Sequence, residues 1–207
     1  MSKKQTVLIT ALLVCIVFAL GVIVGNSLTL DDAAISKFIR QSELNSESFL
    51  IEQDLFQEFE TRCPLAEERL AALSSDLWKL GKLLETPDSK TTLGEETFDY
   101  LKRKYHLLQI RAYTLHYKLS KDCSGAANVI LYYFKKQDAA SQQQGQILDE
   151  LVNEYDLHIF AIEHNYSPEL SFLEEYYDVK QAPTIIVNFQ QKLTSLSNKE
   201  QIKAVLK

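Results

Sequence analysis

The amino-acid sequence predicts an α/β fold in which a C-terminal domain follows an α-helical hairpin and one N-terminal transmembrane helix. Three observations predict this arrangement. An uncharged apolar run covers residues 7–24, two leucine-rich seams lie between residues 66 and 119, and strand-like and helix-like segments alternate after residue 126. We therefore expect a cytoplasmic tip and transmembrane helix at 1–30, a helical hairpin or stalk at 31–125, and an α/β domain at 126–207.

Composition narrows the classes of partner. The chain has 207 residues and a formal net charge of −6, and the part beyond the apolar run is more negative still, because Lys3 and Lys4 precede that run. A nucleic-acid partner requires a basic patch or stripe. We therefore expect no nucleic-acid partner.

The apolar run at residues 7–24 has the length of a membrane span. As a helix it extends about 27 Å, close to the thickness of a bilayer hydrocarbon core. The alternative is a cleaved signal peptide, but its small-x-small site, Ala19-Leu20-Gly21, lies inside the run and not after it. Lysines before the run and Asp31-Asp32 after it predict a single-pass anchor with a cytoplasmic N-terminus. The C-terminal domain would then be extracytoplasmic, meaning periplasmic, extracellular or lumenal.

Two apolar seams predict an antiparallel helical hairpin. Pro64 suits the first position of the first helix, and Thr92 with Glu95 has the spacing of a capping box for the second. The seams consist of Ala66, Leu70, Leu73, Leu77, Leu80 and Leu84, and of Phe98, Leu101, Tyr105, Leu108, Ala112, Leu115 and Leu119. We expect them to pack on each other. The alternative is a coiled coil that forms a homo-oligomer or binds a partner helix.

The chain has three cysteines, of which Cys15 lies in the apolar run and is interpreted as a small buried hydrophobe. Cys63 and Cys123 would lie at the two ends of the hairpin that meet. They predict a structural disulfide outside the cytoplasm, closing a loop of about 60 residues. The alternative is a redox-active pair.

Residues 126–207 alternate between the two kinds of element. Apolar runs at 129–134, 157–162 and 185–189 predict strands, and residues 192–196 can pair back on the third. Helical patterns lie at 142–155 and 168–177 and after Ser197 or Asn198, and Gln142-Gln143-Gln144 is interpreted as a solvated helix face. The predicted order is β-α-β-α-β-β-α.

Three segments carry a resemblance to a known family. They are QILDELVNEYDLHIFAIEHN at 146–165, DVKQAPTIIV at 178–187 and SNKEQIK at 197–203. Together with the element order, they resemble thioredoxin over roughly the last 80 residues. The resemblance implies a thioredoxin-like fold with a cis-proline loop at Ala182, Pro183 and Thr184.

The resemblance also places the family's active-site position. The C-x-x-C motif falls on Asp138, Ala139, Ala140 and Ser141, and the family's buried acid falls on Tyr132. Disulfide exchange requires a thiolate nucleophile and a second thiol. We therefore expect no dithiol activity and no catalytic residue, with Asp138 serving as a helix N-cap.

The remaining function is binding. In relatives, the backbone before the cis-proline pairs with an extended peptide, so Ala182, Pro183 and Thr184 predict a peptide groove that Tyr176 and Tyr177 can edge. The alternative is a purely structural turn. The four histidines (His106, His116, His158 and His164) lack metal-ligand spacing and no Gly-rich phosphate loop is present, so no metal or other cofactor is expected.

The sequence thus predicts a membrane-anchored extracytoplasmic thioredoxin-like module that binds a protein or peptide and is not an enzyme. Two alternatives stay open. One is a thiol-disulfide oxidoreductase that uses Cys63 and Cys123, and the other is a structural coiled-coil scaffold at the membrane.

Overall fold

The structure is a computed structural model that describes residues 63–123 and 128–206, together with Ser36, Ile39, Arg40, Glu43, Leu44, Ser48 and Leu50. Its helices are α1 (Cys63–Glu85), α2 (Ser89–Leu93), α3 (Glu95–Asp122), α4 (Ala139–Val152), α5 (Ser171–Tyr176) and α6 (Lys199–Lys203). A 3-10 turn, Pro168–Leu170, precedes α5. The strands are β1 (Asn128–Phe134), β2 (Leu157–Glu163), β3 (Thr184–Val187) and β4 (Gln191–Thr194).

Helices α1 and α3 form the antiparallel hairpin. Residues of the two predicted seams are buried against each other, with Ala66 and Leu115 near one end and Leu80, Leu101 and Leu108 near the other. Intramolecular packing therefore accounts for the seam periodicity, and the coiled-coil oligomer stays a prediction.

The start of α3 differs from the prediction. Gly94 is its N-cap, with φ of 78°, and no side chain caps the helix there. Thr92 lies instead in α2, the short helix between the arms, where its hydroxyl donates a hydrogen bond to the Asp88 carbonyl oxygen. Glu95 forms an ion pair with Lys90 at 2.7 Å. The predicted capping box is therefore wrong, because Thr92 lies within α2 and Gly94 occupies the N-cap position of α3.

The four strands form one mixed sheet in the order β2-β1-β3-β4. Strand β1 pairs in parallel with β2 and antiparallel with β3, which continues antiparallel to β4. Alternate residues of β1 point to opposite faces, as the period of a strand requires. Val129, Leu131 and Tyr133 pack with α3 and α5, whereas Ile130 and Tyr132 pack with α4 and α6. This mixed sheet with helices on both faces is compatible with a thioredoxin-like fold.

Helix α3 belongs to two packing units at once. Its Leu101 and Leu115 pack in the hairpin, whereas its Ile110 and Tyr113 lie in the core beneath the sheet. The hairpin and the sheet therefore share a core across the predicted domain boundary at 125/126, and that boundary stays a prediction.

Gln144 corrects the interpretation of Gln142-Gln143-Gln144 as a solvated face. It is 0% exposed, and its Oε1 accepts a hydrogen bond from the Ser197 N–H at 2.8 Å. Its Nε2 donates to the Ser197 carbonyl oxygen at 3.3 Å. The buried amide thus ties α4 to the segment before α6, while Gln142 and Gln143 are exposed as expected.

Among the described residues, none of the helices combines the length and apolar character that a membrane span requires. The predicted span at residues 7–24 and the Cys15 within it lie outside the described residues.

Candidate functional site

The candidate site lies at the carboxyl end of β1, where α4 begins. Asp138 is the N-cap of α4, and its Oδ2 accepts a hydrogen bond from the Ser141 N–H at 2.7 Å. Hydrogen bonds from the hydroxyl and then the backbone N–H of Ser141 hold the pKa of Asp138 below its usual range. A carboxylate is favoured here because the first turn of a helix leaves its N–H groups unpaired.

Ser141 is buried beneath this cap and joins three elements. Its Oγ accepts a hydrogen bond from the Lys135 N–H at 3.0 Å, and its carbonyl oxygen accepts one from the Tyr132 hydroxyl. Burial raises the pKa of Tyr132 to about 12. Tyr132 therefore stays a neutral hydrogen-bond donor at physiological pH and is not a proton acceptor.

The arrangement satisfies its own polar groups. The positions that the resemblance gives to two thiols and a buried acid hold a carboxylate, a hydroxyl and a phenol that bond to one another or to the backbone. None of these groups is a thiolate, so the site lacks the nucleophile that disulfide exchange requires. Ala139 and Ala140 add methyl groups only.

The loop that precedes β3 borders the same end of the sheet, because Thr184 pairs with Tyr133 near the end of β1. The Ala182–Pro183 peptide bond is cis. Ala182 is half-buried, whereas Pro183 and Thr184 are buried, and the Thr184 hydroxyl donates to the Gln181 carbonyl oxygen at 2.8 Å. Of the three predicted groove residues, only Ala182 therefore reaches the surface.

Gln181 and Leu196 extend that surface. The exposed Gln181 donates from Nε2 to the Ser195 Oγ at 2.7 Å, which links the β3 loop to the segment before α6. Leu196 is an exposed apolar side chain in that segment. A partly apolar rim therefore runs from Ala182 to Leu196.

The two tyrosines expected to edge the groove have different environments. Tyr176 is 77% exposed, and Tyr177 is half-buried, with its hydroxyl 2.6 Å from that of Tyr113. The rings of Tyr176 and Tyr177 meet edge to face, with centroids 4.8 Å apart. Tyr177 is thus a core residue, and only Tyr176 is available to a partner.

A buried polar cluster lies on the other face of the sheet and was not predicted. Glu174 accepts a hydrogen bond from the Asn165 N–H at 2.9 Å, and its second oxygen lies 3.9 Å from the His164 Nε2. Burial, followed by the charge of Glu174, raises the pKa of Tyr133, whose hydroxyl has no hydrogen-bond partner among the described residues. His164, Asn165 and Glu174 come from one segment and Tyr133 from β1, and the four match no catalytic spacing, so no sequence signal marks them.

The structure brings Cys63 and Cys123 together at the base of the hairpin. Their sulfur atoms lie 2.03 Å apart, at disulfide distance, and their Cα atoms are 6.0 Å apart. Cys63 begins α1 and Cys123 directly follows α3, so the bond lies between hairpin ends and not at the start of α4.

The histidines form no metal site among the described residues, where no group of three or more metal-ligating side chains is found. The rings of His116 and His158 lie side by side, with centroids 4.4 Å apart. Burial, then the neighbouring His158, lowers the pKa of His116 to about 4.

Two solved structures are similar to part of this chain. One, described as the structure of a malarial protein, has 20% sequence identity and a TM-score of 0.34, and the match covers 38% of this chain and 92% of that chain. The other is thioredoxin-2, described as a component of malaria parasite protein secretion machinery, with 20% identity, a TM-score of 0.31, and coverage of 39% and 85%. No protein-family model and no curated protein matches the chain. Similarity of this size transfers neither an activity nor a partner to this chain.

Proposed function

We propose that this protein is a membrane-anchored, extracytoplasmic thioredoxin-like module that binds a protein or an extended peptide and has no dithiol activity. Residues 7–24 would be the anchor, with the N-terminus in the cytoplasm. The rim from Ala182 to Leu196 would be the binding surface.

One observation carries this proposal. The start of α4 holds a complete hydrogen-bond network of Asp138, Ser141 and Tyr132 where the resemblance expects thiols. The network holds the start of α4 in place without a thiol nucleophile. Because the rim from Ala182 to Leu196 is still present beside it, we favour a binding function over disulfide exchange.

The rim is suited to an extended peptide. Ala182 is half-buried two residues before β3 begins, and Leu196 is an exposed apolar side chain next to Ser195, to which Gln181 is bonded. An extended chain binds such a surface through its backbone, with pockets selecting alternate side chains.

The two alternatives lack a specific supporting observation. Cys63 and Cys123 join the two ends of the hairpin to each other and do not lie at the start of α4. The seam residues Leu80 and Leu101 are buried inside the hairpin and so are not available to a second chain. Insulin reduction by the wild-type protein would favour the oxidoreductase. A stable dimer in sedimentation would favour the scaffold.

The binding surface is tested by site-specific photo-crosslinking of the full-length protein in membranes of its natural host. A benzophenone amino acid is introduced at Ala182 and, as a matched control, at Val152, an exposed apolar residue at the far end of α4. We expect discrete light-dependent protein adducts from position 182 only. Equal adducts from both positions, or none from position 182, would remove the rim as a binding surface.

The anchor is tested separately. We expect the full chain to resist alkaline extraction from membranes, and a protease added outside the cytoplasmic membrane to digest the domain that contains Tyr176. Release by alkali would contradict a retained span without bearing on the peptide surface.

A further inference from the structure

Strand β2 lies at one edge of the sheet, and its outer side pairs with none of the described strands. The Asn128 N–H donates to the Asp156 carbonyl oxygen, and the His164 N–H donates to that of Phe134. Backbone groups alternate along a strand, so those of Leu157, Ile159 and Ala161 point away from β1. An edge strand is a template for another strand wherever its outward backbone groups are uncovered, and at Ala161 the N–H is already bonded to Gln109.

A cavity of about 250 Å³ lies between this edge and the hairpin. Its lining includes Leu77, Trp78 and Gly81 of α1, Tyr105 and Gln109 of α3, and Ile159 of β2. Trp78 is 66% exposed at the cavity, and Gly81 is buried without contributing a side chain. The cavity is thus lined by the aromatic residues Trp78 and Tyr105 and by Gly81, and it lies next to the edge strand β2.

Gln109 supplies an unused hydrogen-bond donor in this cavity. It is 4% exposed, and its Oε1 accepts a hydrogen bond from the outward-facing Ala161 N–H at 2.6 Å. That bond fixes which end of the amide is oxygen, since only oxygen can accept. The Nε2 is buried without a partner among the described residues. Leaving a buried donor unpaired is unfavourable, so a ligand that brings an acceptor is favoured here.

We propose that this cavity binds an extended peptide segment, which adds to β2 as a further strand. A backbone carbonyl of the peptide accepts the hydrogen bond from Gln109 Nε2, the edge groups of Ile159 pair with its backbone, and one apolar side chain packs against Trp78. A peptide fits better than a compact ligand because the polar groups are spaced along a strand edge. The site is separate from the rim between Ala182 and Leu196.

The chain carries its own reporter for the test, because Trp78 is its single tryptophan. The probes are acetylated and amidated heptapeptides, Thr-Val-Xaa-Val-Thr-Val-Thr, in which Xaa is leucine, phenylalanine, tyrosine or lysine. Each has a twin with N-methyl groups on alternate backbone nitrogens. Full-length protein in detergent is titrated, and the emission of Trp78 and its quenching by iodide are followed.

We expect a saturable change in emission and protection from iodide with an apolar or aromatic Xaa, and at least about tenfold weaker binding of the N-methylated twin. Binding of the twin as tightly as the parent would overturn strand addition. So would the absence of any response from all of the peptides up to about 1 mM.

Two substitutions test the residues. Gln109→Glu keeps an acceptor for the Ala161 N–H and removes the donor, and we expect it to weaken binding about tenfold. Gly81→Leu fills the cavity and should abolish binding. Gly81→Ala is the matched control, because its Cβ would lie 3.5 Å from the Tyr105 ring, an ordinary contact. Unchanged binding by Gly81→Leu, in a protein with wild-type circular dichroism, would place the peptide elsewhere.

Discussion

The hydroxyl of Tyr132 donates a hydrogen bond to the backbone carbonyl of Ser141, so a strand residue is bonded to the first turn of the following helix. Both residues are buried. The resemblance to thioredoxin places a proton-handling acid at this position. Tyr132 makes a fixed structural contact instead, because burial raises its pKa and keeps the phenol neutral.

Removing that hydroxyl should destabilise the domain without unfolding it. Tyr132→Phe keeps the buried ring and loses one hydrogen bond, so we expect the free energy of unfolding to fall by about 1 kcal/mol. Urea denaturation followed by circular dichroism measures the change. Tyr155→Phe, at a half-buried tyrosine, is the control and should change stability less. An equal loss in both variants would contradict a specific role for the Tyr132 bond.

Thiols introduced at the start of α4 should give the protein dithiol redox chemistry. We expect the Asp138→Cys/Ser141→Cys variant to accelerate insulin reduction by dithiothreitol, because a thiol at a helix N-terminus has a lowered pKa. Wild-type protein should remain at the uncatalysed rate. The same pair of substitutions in a Cys63→Ser/Cys123→Ser background excludes a contribution from the hairpin cysteines. Catalysis by the wild type would contradict the proposed lack of dithiol activity, and an inactive double-cysteine variant would show that the missing thiols are not its sole cause.

Two adjacent glutamines should respond differently to the same substitution. Gln144→Met leaves the buried N–H and carbonyl groups of Ser197 without their partner, at a cost of about 2–6 kcal/mol for two buried groups. Gln143→Met, at an exposed position of the same helix, should change stability by less than about 0.5 kcal/mol. Comparable urea midpoints for the two variants would argue against the link between α4 and the segment before α6.

The covalent link at the base of the hairpin should contribute strongly to stability. It joins cysteines 60 residues apart. Closing a loop of that length stabilises the fold by about 4 kcal/mol on the chain-entropy view. We expect Cys63→Ser/Cys123→Ser to lose stability on that scale in urea denaturation of the full chain in detergent. A reductant should destabilise the wild type and leave the double variant unaffected. A reductant without effect on the wild type would mean that the two cysteines are not bonded.

Acidification should destabilise the fold through its buried histidines. His106 is 2% exposed, and burial followed by the charge of Lys102 lowers its pKa from 6.5 to about 4. Between these values the unfolded chain binds the proton and the folded chain does not. The free energy of unfolding therefore falls as pH falls through that window, by up to about 1.4 kcal/mol per pH unit.

The variant His106→Phe isolates this contribution. Unfolding free energies at pH 5 and 6.5 should show a shallower dependence in the variant, while His116 keeps its own contribution in both proteins. Identical slopes in the two proteins would show that His106 is already protonated or solvated in the folded state.

Local sequence patterns predict the elements of this fold better than they predict their packing. The hairpin seams follow from helical periodicity and the strands β1 and β2 from short apolar runs, and each segment carries its signal by itself. The packing of the hairpin against the sheet could not be predicted in this way. The pattern of α3 does not show that Tyr113 contacts the sheet and not the other arm of the hairpin. Gln144 reads as surface for the same reason, since its partner Ser197 lies 53 residues away.

The candidate site was predictable only in part. The resemblance implies that Asp138 stands at the start of a helix as an N-cap, and the structure has it there. The bond between Gln109 and Ala161 depends on segments 52 residues apart. The bond from Asn165 to Glu174 spans nine residues but matches no catalytic spacing. The bond from the outward-facing Ala161 N–H to Gln109 also requires that β2 be an edge strand, which the element order alone does not show.

The bond between Cys63 and Cys123 also determines how force would pass through the molecule. A pull on the chain before residue 63 reaches residue 123, just before β1, through the disulfide, because the bond bypasses the 60-residue loop between them. Helices α1, α2 and α3 then carry none of the tension along the backbone. The hairpin can keep its shape under load, and the sheet bears the load directly.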